Sequence, residues 1–287
     1  MNIPPYWVRE ERQVAGGLTI HLRGASYTSM EEARERMETR AALTLQFLQQ
    51  ELETDEFRQA VREQHAKNPE DGYASEVFEK VVEQVDGQNI ITRNGYGAEV
   101  LNSTSLCMVD VDRFPDGVPF FSKLLAGIGI GAYDKRKASE AALMKQLELL
   151  CHEQEDLGAR LYRTAAGWRV ILQGQGLRHD SDRMLDLSRA LDADPLYVGL
   201  CRRQGCWRAR LTPKYYRLQP SPGPFPRRMA SDTPAAGEEA WLAAYREACK
   251  GAAVCRLVES FGRRMESPIL SLHDERTLAL RPDLPLC

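Results

Sequence analysis

Two carboxylates, Asp110 and Asp112, stand two residues apart in Leu106-Cys107-Met108-Val109-Asp110-Val111-Asp112. On a β-strand that spacing puts both on one face, with Cα atoms about 7 Å apart. Two acids at the end of an otherwise apolar strand repel each other and need a cation, either a metal or arginines. Hard oxygen ligands suit Mg2+ or Mn2+. The simpler alternative is a pair of strand-end acids met by local arginine or solvent.

Arginines alternate in the same way nearby. In Cys206-Trp207-Arg208-Ala209-Arg210-Leu211-Thr212-Pro213-Lys214, the apolar Trp207, Ala209 and Leu211 share one face, and Arg208 and Arg210 share the other. In Trp168-Arg169-Val170-Ile171-Leu172, Arg169 opposes the apolar Trp168, Val170 and Leu172, and Arg163 and Thr164 stand at the mouth of the same hairpin. Acids that hold a metal, flanked by planar guanidinium groups, are what a polyphosphate requires. The competing reading is mutual neutralisation of acids and arginines, which is worth little on an exposed face.

The elements that must position these residues follow from periodicity. Ser105–Asp112 reads as a strand. A helix capped by Ser139 and ending near Gly158 follows it. Strands at 160–164 and 168–173 join through Ala165-Ala166-Gly167. Helices then start at Ser181 and at Asp194-Pro195, where proline is tolerated. A last strand spans Cys206–Thr212. The order βαββαβ predicts a ferredoxin-like (RRM-like) α+β core. Its first strand would lie between the third and the last, with Asp110, Asp112, Arg169, Arg208 and Arg210 on an open sheet face.

Upstream, Leu18–Leu22 alternates like a strand, and Ser29 with Glu32 forms a capping box before a helix over about 30–53. Further helices are predicted at about 56–66 and 75–84. Asn94-Gly95 signals a hairpin between strands at 89–93 and 96–101. Gly127-Ile128-Gly129-Ile130-Gly131 has the wrong spacing for a dinucleotide fingerprint and reads as a turn. Downstream, residues 219–226 are Pro-rich and read as a linker or extended strap. Helices are expected at about 238–249 and 252–261, with a peripheral tail after Ser267. The predicted domains are 1–88, mainly helical and packed on the core; 89–218, the ferredoxin-like core; 219–236, the linker; and 237–287, C-terminal helices and tail.

The chain has 287 residues with 38 Lys+Arg against 41 Asp+Glu, a net charge of −3. That mean hides a split. Residues 160–230 carry fourteen basic and five acidic residues, a net of +9, which leaves −12 elsewhere. Thirteen of the fourteen are arginine, the residue suited to phosphate, and Trp168, Trp207, Tyr215 and Tyr216 are interleaved as candidates for stacking on bases. No apolar run approaches a membrane span, and no secretory signal is visible, so a cytoplasmic protein is expected. The seven cysteines form no CxxC. The Cys201/Cys206 and Cys249/Cys255 spacings are looser than metal knuckles, so buried thiols are expected.

Val109-Asp110-Val111-Asp112, a following helix, and a strand–turn–strand with Gly167-Trp168-Arg169 resemble the catalytic half of archaeo-eukaryotic primases and primase-polymerases. The resemblance covers about residues 105–214. It implies an RRM-like sheet, Asp110 and Asp112 as the metal pair, and two-metal nucleotidyl transfer. The chain departs from that family in carrying Arg169 where a histidine is expected, and Arg208 and Arg210 where a third acid belongs. Ile3-Pro4-Pro5-Tyr6-Trp7, Thr92-Arg93-Asn94-Gly95-Tyr96-Gly97, Tyr162-Arg163-Thr164 and Arg208-Ala209-Arg210-Leu211-Thr212-Pro213-Lys214 are also similar to the signature of an uncharacterised bacterial protein family.

The resulting expectation is a metal-dependent enzyme acting on nucleotides or nucleic acid. Asp110 and Asp112 would bind Mg2+ or Mn2+, with Asp110, Asp112 and Arg169 catalytic. Arg163, Thr164, Arg208, Arg210 and Lys214 would hold phosphate. The alternatives are a non-catalytic RNA- or DNA-binding module, and an interaction protein whose acidic N-terminal region meets the basic sheet.

Overall fold

The computed structural model describes residues 1–14, 18–51, 76–111 and 135–287. Asp112, the 56–66 segment and the Gly127–Gly131 run lie outside them. The fold is mixed α+β. An N-terminal antiparallel hairpin, β1 (Tyr6–Val14) and β2 (Leu18–Ser26), pairs Tyr6 with Ser26 through Val14 with Leu18. Helix α1 (Met30–Glu51) lies on it. Ser29 Oγ accepts from the Glu32 N–H at 3.1 Å, while the Glu32 carboxylate accepts from Ser26 Oγ rather than closing the box on Ser29. Leu22 of the hairpin meets Met37 and Ala41 of the helix. The approach is close at Gly24, where a Cβ would stand 1.9 Å from the Ala33 carbonyl oxygen.

Two antiparallel four-stranded sheets follow. One has the order β3 (Lys80–Gln84), β4 (Asn89–Arg93), β5 (Glu99–Ser103), β9 (Trp207–Arg210). The other has the order β10 (Cys255–Gly262), β7 (Gly158–Thr164), β8 (Trp168–Gln173), β6 (Cys107–Val111). The remaining helices are α2 (Lys135–Glu153), α3 (Asp182–Ala190), α4 (Pro195–Gln204), α5 (Glu238–Cys249) and α6 (Pro268–Thr277). Ser181 caps α3 and Asp194 caps α4 with Pro195 in its first turn, as the sequence predicts. The Asn94 turn also forms. Its Oδ1 accepts from the Tyr96 and Ala98 N–H groups, and Gly97 takes the positive φ of +76°.

Several expectations are corrected. The helix predicted over 75–84 is strand β3 from Lys80, because Val81 and Val82 supply a β-branched edge that β4 can pair with. The helix predicted over 252–261 is strand β10, which covers the outer edge of β7. Short apolar runs carry no periodicity that separates the two states, and the open sheet edge decides. Ser139 does not cap α2; it is buried inside a helix that starts at Lys135. The described part of residues 1–88 holds three strands beside its helix. The 219–236 segment is a strap: the Met229 carbonyl accepts from the Arg9 N–H, and Ser231 donates to the Trp7 carbonyl. The tail is not peripheral, since α6 buries Ile269, Leu270, His273, Asp274 and Thr277.

The core lies between the β6–β8–β7 face and helices α2 to α4. It contains Val109, Val111, Leu161, Trp168, Val170 and Leu172 with Leu147, Met184 and Leu187. The β6–β8 adjacency matches the predicted placement of the third strand beside the first. The last strand does not ladder with the first: β9 pairs with β5, Asn102 opposite Arg208. The Tyr197 hydroxyl of α4 bridges β6 and β9 instead, 2.8 Å from the Met108 carbonyl and 2.9 Å from that of Arg208.

Candidate functional site

Asp110 and Arg169 are direct cross-strand partners on β6 and β8, on the face opposite the helical core. Arg169 Nε donates to Asp110 Oδ1 at 3.0 Å. The arginine side chain is 2 % exposed and the carboxylate 28 %. The face is therefore not open at Arg169: α6 covers it. Arg169 Nη1 donates to the Arg210 carbonyl on β9 at 3.1 Å and lies 3.3 Å from His273 Nε2 on α6. One buried guanidinium thus ties β8, β6, β9 and α6 together. Burial works against its charge, but Asp110, with Cys255 and Tyr197 nearby, works the other way and the pKa rises above the ordinary arginine value.

Behind Arg169 the chain of polar contacts continues. An arginine can only donate, so His273 Nε2 accepts and its proton sits on Nδ1. That N–H points at Asp274 Oδ1, 3.0 Å away. Asp274 also accepts from Tyr162 Oη at 2.8 Å and from Arg160 Nη1 at 2.7 Å. Burial first, then Arg169, hold His273 below the usual histidine pKa despite the carboxylate beside it. The imidazole is a neutral spacer between a cation and an anion.

Arg210 stands beside this cluster with its Nη1 buried and without an acceptor among the described residues. Burial, then Arg169, lower its pKa. Its other electrostatic neighbours are Asp110, Arg217 and Tyr216. Lys214 follows, with Nζ 5.2 Å from the Tyr96 ring and 5.7 Å from the Tyr216 ring. Those two rings are 46 % and 51 % exposed and meet edge to face at 6.2 Å.

The remaining sequence-predicted residues lie elsewhere. Arg163 is on the opposite face from Asp110, because it neighbours Trp168 rather than Arg169 in the ladder. Its Nε donates to Glu140 of α2 at 2.7 Å, and Trp168 Nε1 donates to the same carboxylate. Thr164 closes the β7–β8 turn, its Oγ1 accepting from the Gly167 N–H. Arg208 shares the Arg210 face of β9 but turns to Glu79 at 2.6 Å and Gln204 at 2.8 Å. Asp112 lies outside the described residues. Trp168 and Trp207 are each 1 % exposed and cannot stack on a base; of the four aromatics only Tyr216 presents a largely open ring.

The charge split takes a different form in three dimensions. Of the fourteen basic residues in 160–230, nine make ion pairs with acids among the described residues: Arg160, Arg163, Arg169, Arg178, Arg183, Arg189, Arg208, Arg227 and Arg228. Seven of those nine use acids from outside the segment. Among the described residues Arg202, Arg210, Lys214 and Arg217 have no carboxylate within ion-pair distance. Three of these four lie within eight residues, and the first of them, Arg210, neighbours Asp110.

For a metal, the described donor set is thin. No group of three or more His, Cys, Asp or Glu side chains placed to hold an ion occurs among the described residues. Asp110 alone offers its second oxygen, surrounded by guanidinium groups, so these residues do not by themselves fit Mg2+ or Mn2+. All seven cysteines are free thiols, and Cys107, Cys151, Cys201, Cys206 and Cys255 are buried. Burial pushes Cys201 up to about 12 and Cys206 up to about 11, the state of inert core thiols. Among the described residues no helix is long and apolar enough to cross a membrane.

His273, Asp274, Glu140, Glu79 and Tyr96 complete or neighbour these clusters, and sequence reasoning did not assign them roles there. Only Tyr96 carried a local signal, its place in the Asn-Gly turn. No family model, curated protein or solved structure matches the chain.

Proposed function

We propose that the chain binds nucleotides or nucleic acid at the edge formed by Arg210, Lys214, Arg217, Tyr96 and Tyr216, next to Asp110. The observation that carries this is selective: the fold neutralises most of its basic segment and leaves 210–217 without carboxylate partners among the described residues. Guanidinium and ammonium groups there would take phosphate. Exposed tyrosines around Lys214 offer a face for a base. Arg169 has a positioning role in this reading, since it is buried and holds the Asp110 carboxylate at the edge of the site. The ferredoxin-like interpretation of the core rests on the β6–α2–β7–β8 order, with β9 placed beside β6 through Tyr197. The primase-like resemblance points to the same substrate class.

Metal-dependent phosphoryl or nucleotidyl transfer is the second reading. It is favoured by one observation: Asp110 engages Arg169 through a single oxygen and is partly exposed. It requires Asp112 to complete the donor set.

The test is fluorescence anisotropy of a labelled single-stranded oligonucleotide, with wild type, Lys214→Gln and Arg217→Gln across a salt series. Each variant should weaken binding and reduce the salt slope by about one. Unchanged affinity in both variants sinks the binding proposal. Thermal stabilisation by a nucleoside triphosphate with and without Mn2+ decides the enzyme reading. If Mn2+ adds nothing in wild type, or if Asp110→Asn retains its effect, the metal site is absent.

A further inference from the structure

The N-terminal hairpin and the edge of the β3–β4–β5–β9 sheet enclose a cleft of about 310 Å³, separate from the Asp110 cluster. Arg9 and Arg23 reach it from β1 and β2, Glu76, Phe78 and Glu79 from the approach to β3, Gln204 from α4 and Arg208 from β9. Both acids are already engaged. Glu79 Oε2 pairs with Arg208 at 2.6 Å and accepts from Thr92 Oγ1, while Glu76 lies 3.8 Å from Arg40. Arg9 and Arg23 have no carboxylate within ion-pair distance among the described residues.

Arg9 is packed against two aromatic rings. Its guanidinium lies 5.2 Å from the Trp7 ring and 5.9 Å from the Phe78 ring, and Nη2 donates to the Phe78 carbonyl. Arg23 lies 5.8 Å from the same Phe78 ring. The Nε atoms of Arg9 and Arg208 are both buried and lack any acceptor among the described residues. Buried donors without a partner are few in native proteins, and each calls for a cause. Two such donors border one cleft together with Arg9 and Arg23, which are direct cross-strand neighbours and meet no carboxylate among the described residues. Burial, then Arg23 and Arg227, bring the Arg9 pKa down to about 10, as expected of a cation crowded by cations. Arg227 itself is paired with Glu11.

We propose that this cleft is an oxyanion site that takes a phosphate group between Arg9 and Arg23. A phosphate offers oxygens to two guanidinium forks at once, which a single carboxylate does less well. The proposal is independent of the nucleotide site at Arg210, because it rests on a different set of unpaired cations.

The test is isothermal titration calorimetry of inorganic phosphate into the full chain at constant ionic strength, comparing wild type with Arg23→Gln, Arg9→Gln and Arg210→Gln. Wild type should bind phosphate. Arg23→Gln should weaken it by about tenfold or more, the scale of one lost charge-assisted contact. Arg210→Gln should retain the component of phosphate binding that Arg23→Gln removes. Arg9 packs on Trp7, so where Arg9→Gln fails to fold, the half-buried Arg23 decides. No phosphate binding in wild type, or equal binding in Arg23→Gln, overturns the proposal. Once Arg23→Gln has lost phosphate, a single-stranded oligonucleotide separates the sources. A parallel loss assigns the site to a nucleic-acid phosphate, and unchanged affinity assigns it to a free phosphate or small phosphate ester.

Discussion

His273 gives the sharpest test of the buried network, because its protonation is fixed by what surrounds it. Arg169 faces Nε2 and Asp274 faces Nδ1, with Tyr162 packed edge-on against the ring at 5.1 Å and Cys255 and Asp110 nearby. Burial and Arg169 depress its pKa below the value in the unfolded chain. Between the folded and unfolded pKa values the unfolded chain binds a proton that the native protein does not. Stability therefore is fully present above about pH 6.5 and falls as pH drops toward the folded pKa. The slope is at most about 1.4 kcal/mol per pH unit, so the loss between pH 6.5 and 5 reaches at most about 2 kcal/mol. His273→Gln should remove this term, since the Gln amide oxygen can accept from Arg169 while its NH2 donates to Asp274, with no group to titrate. Urea unfolding of both proteins at half-unit pH steps from 5 to 7.5 measures the difference, and subtraction cancels the other histidines. Parallel profiles would show that His273 titrates normally in the fold. A wild type that gains on the variant as pH falls would show that the imidazole is charged, and the donor assignment at Nε2 would fail.

Other outcomes follow from the same structure. Asp110→Ala strands the buried Arg169 and should cost about 2–4 kcal/mol in denaturant unfolding, part of it recovered when Arg169→Met is added. A double mutant that is simply the sum of its singles would remove the pair from the account. Tyr197→Phe takes the hydroxyl from between β6 and β9 and should cost about 1–3 kcal/mol, with wild-type stability in the variant counting against the bridge. Gly24→Ala places a methyl against the Ala33 carbonyl and should lower stability by about 1–3 kcal/mol, with faster exchange of β2 amide protons.

Alternation made much of the candidate site legible. It placed Asp110 and Arg169 on one face of neighbouring strands, and the ladder sets them directly opposite. The caps at Ser181 and Asp194 and the Asn94 turn are local chemistry, and each forms where its residues stand. What could not be read was the partner of each arginine. Glu140 is 23 residues from Arg163, Asp274 is 114 from Arg160, and Glu79 is 129 from Arg208. Such pairs depend on which helix lies on which sheet face. That in turn depends on β10 and α6, two elements whose short apolar runs carry no decisive period.

This changes what charge says about function. A segment with a net of +9 looks like a polyanion surface when read along the chain. In the fold, acids from α2, α6, β1, α5, β6 and the approaches to β3 and β7 arrive to meet it, and charges paired in this way leave little potential behind. The informative cations are the ones that remain. Arg210 has a buried N–H with no acceptor among the described residues, Lys214 sits against two open tyrosine rings, and Arg9 and Arg23 crowd each other over Phe78. An unpaired guanidinium beside another is costly unless an anion joins it. These two places among the described residues are therefore where a phosphate ligand should be sought, and β9 borders both, through Arg210 at one and Arg208 at the other.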